Sequence, residues 1–82
     1  MAKKTLQERY AAGLSAIGYT EDLQARSKKF RTFIRPSKLY PGTDEKVYLG
    51  KAGSVRYGKT VSNSMAMNDG NRRALLAKGD AA

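Results

Sequence analysis

Lys29-Phe30-Arg31-Thr32-Phe33-Ile34-Arg35-Pro36 is the stretch on which the fold turns. It is dense in aromatic and β-branched residues and closes on a proline that cannot continue strand pairing, so it reads as a β-strand. A strand's period of two divides it into Phe30, Thr32 and Ile34 on one face and Arg31, Phe33 and Arg35 on the other. The first set is the more apolar and is assigned to the core. The second is assigned to water.

Lys46 to Gly50 reads as a second strand, with Val47 and Leu49 on one face and Lys46 and Tyr48 on the other. Lys51-Ala52-Gly53-Ser54 makes a hairpin connection, and Val55-Arg56-Tyr57 opens a third strand extending toward Val61. Residues 36–45 hold both prolines, a Pro41-Gly42 turn and the Asp44-Glu45 pair, the composition of an exposed loop. Upstream, Thr5 and Glu8 have capping-box spacing, and Leu6, Tyr10, Leu14 and Ile17 recur on one helical face. Gly18 supplies a left-handed stop, with Tyr19 folding back onto Leu14. Gly13 costs about 1 kcal/mol relative to alanine inside that helix but admits a neighbouring backbone.

Residues 20–29 read as a turn and surface connection, and Ser62-Asn63-Ser64 as the cap of a brief helical turn over Met65-Ala66-Met67. Asn68-Asp69 through Lys78 reads as a helix, acidic at its start, basic at its end and stopped by Gly79. The expected fold is therefore α+β: an N-terminal helix packed on a three-stranded antiparallel meander, with a short C-terminal helix. It forms a single small basic domain over 1–82, with flexible ends at 1–4 and 79–82.

The chain has 82 residues, of which 16 are Lys or Arg and 7 are Asp or Glu, a formal charge of +9. A domain of this size buries only about 60% of its unfolded surface, which leaves room for one core. The absence of Cys and His excludes disulfides, thiolate metal sites and the commonest general base, so no catalytic residue, metal or cofactor is expected. No apolar run approaches the roughly 20 residues of a membrane span, and no leader segment is legible, so a cytoplasmic protein that does not engage a membrane is expected. The charge excess points to a polyanionic partner: nucleic acid first, an anionic membrane or an acidic protein second.

Gly53-Ser54-Val55-Arg56-Tyr57-Gly58-Lys59-Thr60 satisfies the G-x-x-x-x-G-K-[ST] pattern of a nucleotide-phosphate loop. Its physics needs a flexible loop opening into a helix, whereas Val55, Arg56 and Tyr57 favour a strand and Val61-Ser62-Asn63-Ser64 is a poor helix start. A hairpin is the expected structure there. A second constellation follows from strand alternation: Arg31, Phe33, Arg35, Lys46, Tyr48 and Arg56 would share the face away from the helix. Cations neutralise phosphate while rings stack on unpaired bases, which is the mixture single-strand surfaces use. The competing structural reading makes Phe33 and Tyr48 a cross-strand pair covered by the C-terminal helix through Leu75 and Leu76. A third feature is Arg26, Lys28, Lys29, Arg31, Arg35 and Lys38, six cations in thirteen residues without an acid. Lys59, and Lys3, Lys4, Arg72, Arg73 and Lys78, extend that field.

Lys29-Phe30-Arg31-Thr32-Phe33, Tyr48-Leu49-Gly50-Lys51-Ala52-Gly53-Ser54-Val55-Arg56-x-Gly58 and Leu6-Gln7-Glu8-Arg9-Tyr10 together resemble a pattern of small bacteriophage accessory proteins, covering the chain to about Ser64. The resemblance implies action in a bacterial cytoplasm on nucleic acid or on a host protein, and carries over no catalytic residue. The expectation is a non-enzymatic DNA- or RNA-binding protein. Arg31, Arg35, Lys46 and Arg56 would contact phosphate, Phe33 and Tyr48 would stack on bases, and Arg26, Lys28, Lys29, Lys38 and Lys59 would extend the surface. The alternative is a protein-interaction module, a phage-type inhibitor or assembly factor that meets an acidic partner or forms a homodimer through a strand edge.

Overall fold

The computed structural model describes residues 5–25 and 29–81, so the expectations placed on Lys3, Lys4, Arg26 and Lys28 lie outside the described residues. Helix α1 spans Leu6–Ala16 and begins with the reciprocal capping box of Thr5 and Glu8. It ends as its sequence dictates: Gly18 adopts φ 102°, and the amides of Gly18 and Tyr19 donate to the carbonyls of Ser15 (3.2 Å) and Leu14 (2.9 Å). That is the pair of hydrogen bonds of a Schellman stop, and it returns Tyr19 onto Leu14 in the core.

Five strands follow: β1 Thr20–Glu21, β2 Phe30–Pro36, β3 Asp44–Gly50, β4 Val55–Gly58 and β5 Ser64–Ala66, with a 3₁₀ turn over Leu23–Ala25. Each pairs antiparallel with its sequence neighbour, giving the order β1-β2-β3-β4-β5. Helix α2, Asp69–Ala81, closes the chain, with the Asn68 side chain accepting from the Asn71 amide at 2.8 Å. The α+β class holds, and several details differ from the sequence reading, among them Pro36, Asp44 and Glu45, which are strand residues and not part of the loop. The sheet has five strands, because residues 20–21 and 64–66 take up hydrogen-bonding edges that β2 and β4 would otherwise leave unpaired. Ser64–Ala66 is accordingly strand and not helix. Gly79 lies inside α2, buried against α1, and does not stop the helix, which continues through Asp80 and Ala81.

The register of β2 reverses the expected assignment of its faces. Phe33 pairs with Val47 and Arg31 with Leu49, so the Arg31, Phe33, Arg35 set lies on the same side as Val47, Leu49 and Val55. Tyr10, Leu14 and Tyr19 from the α1 region and Leu75 from α2 pack on that side to form the core. Both helices therefore cover one face. The other face carries Phe30, Thr32, Ile34, Lys46, Tyr48 and Arg56. A strand offset by one residue transfers every side chain to the opposite face. Here the Arg31 head lies over Phe33 and the Arg35 head over Tyr19 while both reach acids on neighbouring strands, which offsets the cost of placing them on the helix side.

The two helices approach each other through glycine. A Cβ placed on Gly13 would sit 2.2 Å from the Leu75 carbonyl oxygen, and one on Gly79 would sit 2.5 Å from that of Arg9. Arg9 and Asp80 bridge the same contact with a salt bridge of 2.8 Å.

Candidate functional site

The acids of this chain are largely engaged by its own groups. Glu21 takes two hydrogen bonds from Arg31 (2.6 and 3.0 Å), and Glu45 takes two from Arg35 (2.6 and 3.1 Å). These bonds raise the guanidinium pKa values of Arg31 and Arg35 above the ordinary arginine value. Asp80 pairs with Arg9 and Asp69 with Arg72, while Glu8 and Asp22 accept backbone amides at the starts of α1 and the 3₁₀ turn. Among the described residues, Asp44 has neither role.

Among the described residues, Lys38, Lys46, Lys51, Arg56, Lys59, Arg73 and Lys78 make no salt bridge with an acid. Among the described residues these seven cations stand outside the four ion pairs.

The structure separates the residues expected to form one basic sheet face. Arg31 and Arg35 are half-buried on the helix side, and each guanidinium lies over a ring, 5.3 Å from the Phe33 centroid and 4.5 Å from that of Tyr19. Arg35 also donates to the Ile17 carbonyl at 3.1 Å, closing the end of α1. Their task here is structural pairing, so the placement of Arg31, Phe33 and Arg35 with Lys46, Tyr48 and Arg56 on an open face is corrected.

Phe33 is 4% exposed in the core and Tyr48 is 6% exposed on the opposite face, so neither ring is open for stacking. Tyr48 packs edge-on against Phe30 at 5.8 Å and 86°, and burial raises its phenol pKa. The alternative pairing of Phe33 with Tyr48 also fails, since Phe33 faces Val47 and Tyr48 faces Thr32. Arg56 lies on the open face beside Tyr48, its guanidinium donating to Ser64 Oγ (2.8 Å) and the Ser64 carbonyl (2.6 Å). Lys29, Lys38 and Lys59 are exposed, and Lys46 is half-buried.

Gly53 to Thr60 lacks the geometry of a phosphate loop. Gly53, at φ 93°, ends a hairpin turn, Val55–Gly58 is strand β4, and the chain proceeds to β5 with no helix opening from the motif.

The structure does bring one group together at the end of the sheet where the β2–β3 and β4–β5 loops meet. Ser37, Tyr40, Thr43, Asp44, Lys46 and Lys59 line a common open depression. Tyr40 is 69% exposed and the adjacent Leu39 is 81% exposed. The loop is closely braced. The Tyr40 amide donates to Ser37 Oγ at 3.2 Å, its carbonyl accepts from the Thr43 amide (3.2 Å) and hydroxyl (2.7 Å), and the Ser37 amide donates to the Thr43 carbonyl at 3.0 Å. Pro41 presets the backbone and Gly42 takes φ 88°, the requirements of a type II turn over Tyr40 to Thr43.

Sequence reading identified this segment only as an exposed loop and did not single out Tyr40. The available signal was an aromatic immediately before Pro-Gly, in a loop flanked by Lys38 and Lys46. A second concavity, of about 270 Å³, lies between the helices and the sheet and is lined by Leu14, Ile17, Val47, Met67 and Leu75 among others. It falls just under the roughly 300 Å³ at which small-molecule pockets begin, and Asn71 and Lys78 are the only polar side chains on its wall apart from Tyr19.

Among the described residues, no cluster of three acids could hold a metal and no helix is long and apolar enough to cross a membrane. Searches against family models, curated proteins and solved structures return no match.

Proposed function

We propose that this chain is a non-enzymatic nucleic-acid-binding protein, an accessory factor of bacteriophage type acting in the bacterial cytoplasm. The observation that carries this reading is the division of charge: acids are spent on Arg9, Arg31, Arg35 and Arg72, while seven other described cations lack an acid partner. Cations left unneutralised attract a phosphate backbone, and each phosphate they engage releases condensed counterions. Lys38, Lys46 and Lys59 gather near the loop end of the sheet, and Lys46 and Arg56 share the face that neither helix covers.

Fluorescence anisotropy with single- and double-stranded DNA and RNA, repeated over a series of salt concentrations, tests the reading. Engagement of Z phosphates gives a log–log salt slope of about −0.7Z for single strands and about −0.9Z for duplex. Absence of binding to every oligonucleotide at low salt refutes it. The second reading, a protein-interaction module, is favoured by one observation. Strand β5 is a free edge of three residues bearing Met65 at 65% exposure, beside Tyr57 at 42%. A second copy or another protein could pair there.

A further inference from the structure

The proposed nucleic-acid role leaves the stacking group unassigned, because Phe33 and Tyr48 are buried. From the geometry of the β2–β3 loop we infer that Tyr40 is a base-stacking residue, that Lys46 and Lys59 hold the flanking phosphates, and that the ligand is single-stranded nucleic acid. This inference rests on the nucleic-acid reading and specifies its site and substrate class.

Three independent observations converge. First, Tyr40 is the most exposed of the aromatic rings whose exposure is above one third, at 69% against 42% for Tyr57. Burying such a ring against a base recovers apolar area that water now covers. Second, its backbone is fixed on both sides, by Ser37 and Thr43, and by the Pro41-Gly42 turn. A ring presented from a fixed backbone loses little further freedom on binding, which is the condition for an exposed aromatic to give affinity. Third, Lys46 and Lys59 line the same depression, and neither makes a salt bridge with an acid among the described residues.

Duplex conceals its base faces within the stack, whereas an unpaired strand offers them to a protruding ring. Asp44 also lines the depression. A carboxylate opposes phosphate and accepts an exocyclic amine, so this wall favours the edge of a base.

Tyrosine is the only fluorophore of note in a chain without tryptophan, so Tyr40→Trp introduces a single reporter at the inferred contact. Its emission should be quenched by a short single-stranded oligonucleotide and much less by the matching duplex. In anisotropy titrations, Tyr40→Ala should weaken single-strand binding by about 5- to 150-fold, the range of one base stack, while Tyr40→Phe retains it. An abasic strand of equal charge should bind wild type and Tyr40→Ala alike. Circular dichroism melts of each variant verify that the fold persists.

If oligonucleotides bind but Tyr40→Ala binds equally well and the reporter stays unquenched, the inference fails and the nucleic-acid reading survives. If wild type binds no oligonucleotide at low salt, both fail. If poly-glutamate quenches the reporter as strongly as single-stranded DNA does, the loop is an acidic-protein contact and the inference is overturned.

Discussion

Phe33 sits between two arginines in sequence and in the core in space, because each guanidinium finds an acid on a neighbouring strand, Arg31 over the Phe33 ring and Arg35 over that of Tyr19. That arrangement assigns the residue to the stability of the core. Phe33→Leu should lower stability by about 1–2 kcal/mol, between the cost of a volume-conserving swap and that of a full truncation. Urea unfolding measures that loss, while oligonucleotide affinity should be unchanged in the folded variant. A loss of affinity at constant stability would return Phe33 to the binding surface. The alternation in Lys29–Pro36 was legible, yet its phase was not. Apolar content alone favours Phe30 and Ile34 as the inward set, and the deciding facts are the positions of Glu21 and Glu45 on strands β1 and β3, which no local pattern reveals.

Among the elements, those whose signals are local match their sequence. The Thr5/Glu8 cap, the Gly18 stop and the Gly53 hairpin are all present because a few adjacent residues fix the backbone in each. Strands β1 and β5, of two and three residues, have no such signal. Ser64-Met65-Ala66 holds no β-branched residue and becomes strand only by pairing with Arg56, Tyr57 and Gly58. The candidate site was half legible for the same reason: Lys46 and Lys59 follow from charge, but Tyr40 acquires interest only once the loops are seen to converge on it.

The seat between α1 and α2 is set by glycine, and Gly79 looked like a terminator because its partner is distant in sequence. Gly13→Ala should destabilise the protein by about 1–3 kcal/mol, as an overpacked contact does. The helix-propensity gain of about 1 kcal/mol acts in the opposite direction, but the obstacle is the fixed Leu75 carbonyl and not a movable side chain. Thermal melting should fall accordingly, by about 4–8 °C per kcal/mol at this chain length.

At the scale of the whole molecule, two phenols contribute to the response at alkaline pH. Burial raises the pKa of Tyr19 and Tyr48, with Arg35 acting in the opposite direction at Tyr19. The folded state thus holds these protons more tightly than the unfolded chain. Their contribution is fully present below the ordinary tyrosine value of about 10 and is lost as pH rises through the raised values. Urea midpoints should decline at strongly alkaline pH, and Tyr48→Phe should flatten that decline. An equal slope in the variant would show that the Tyr48 proton is not coupled to folding.

The consecutive order of the sheet has a consequence for how the protein matures. Hairpins between successive strands close small loops and form early, whereas the helix pair joins Arg9 to Asp80 across 71 positions. Loop-closure entropy therefore predicts that docking of the last helix follows hairpin formation, an order that stopped-flow refolding of a Gly79→Ala variant checks. Until docking occurs, Leu14 and Val47 lack the cover that Leu75 provides, and that interval is when a nascent molecule is most exposed to self-association.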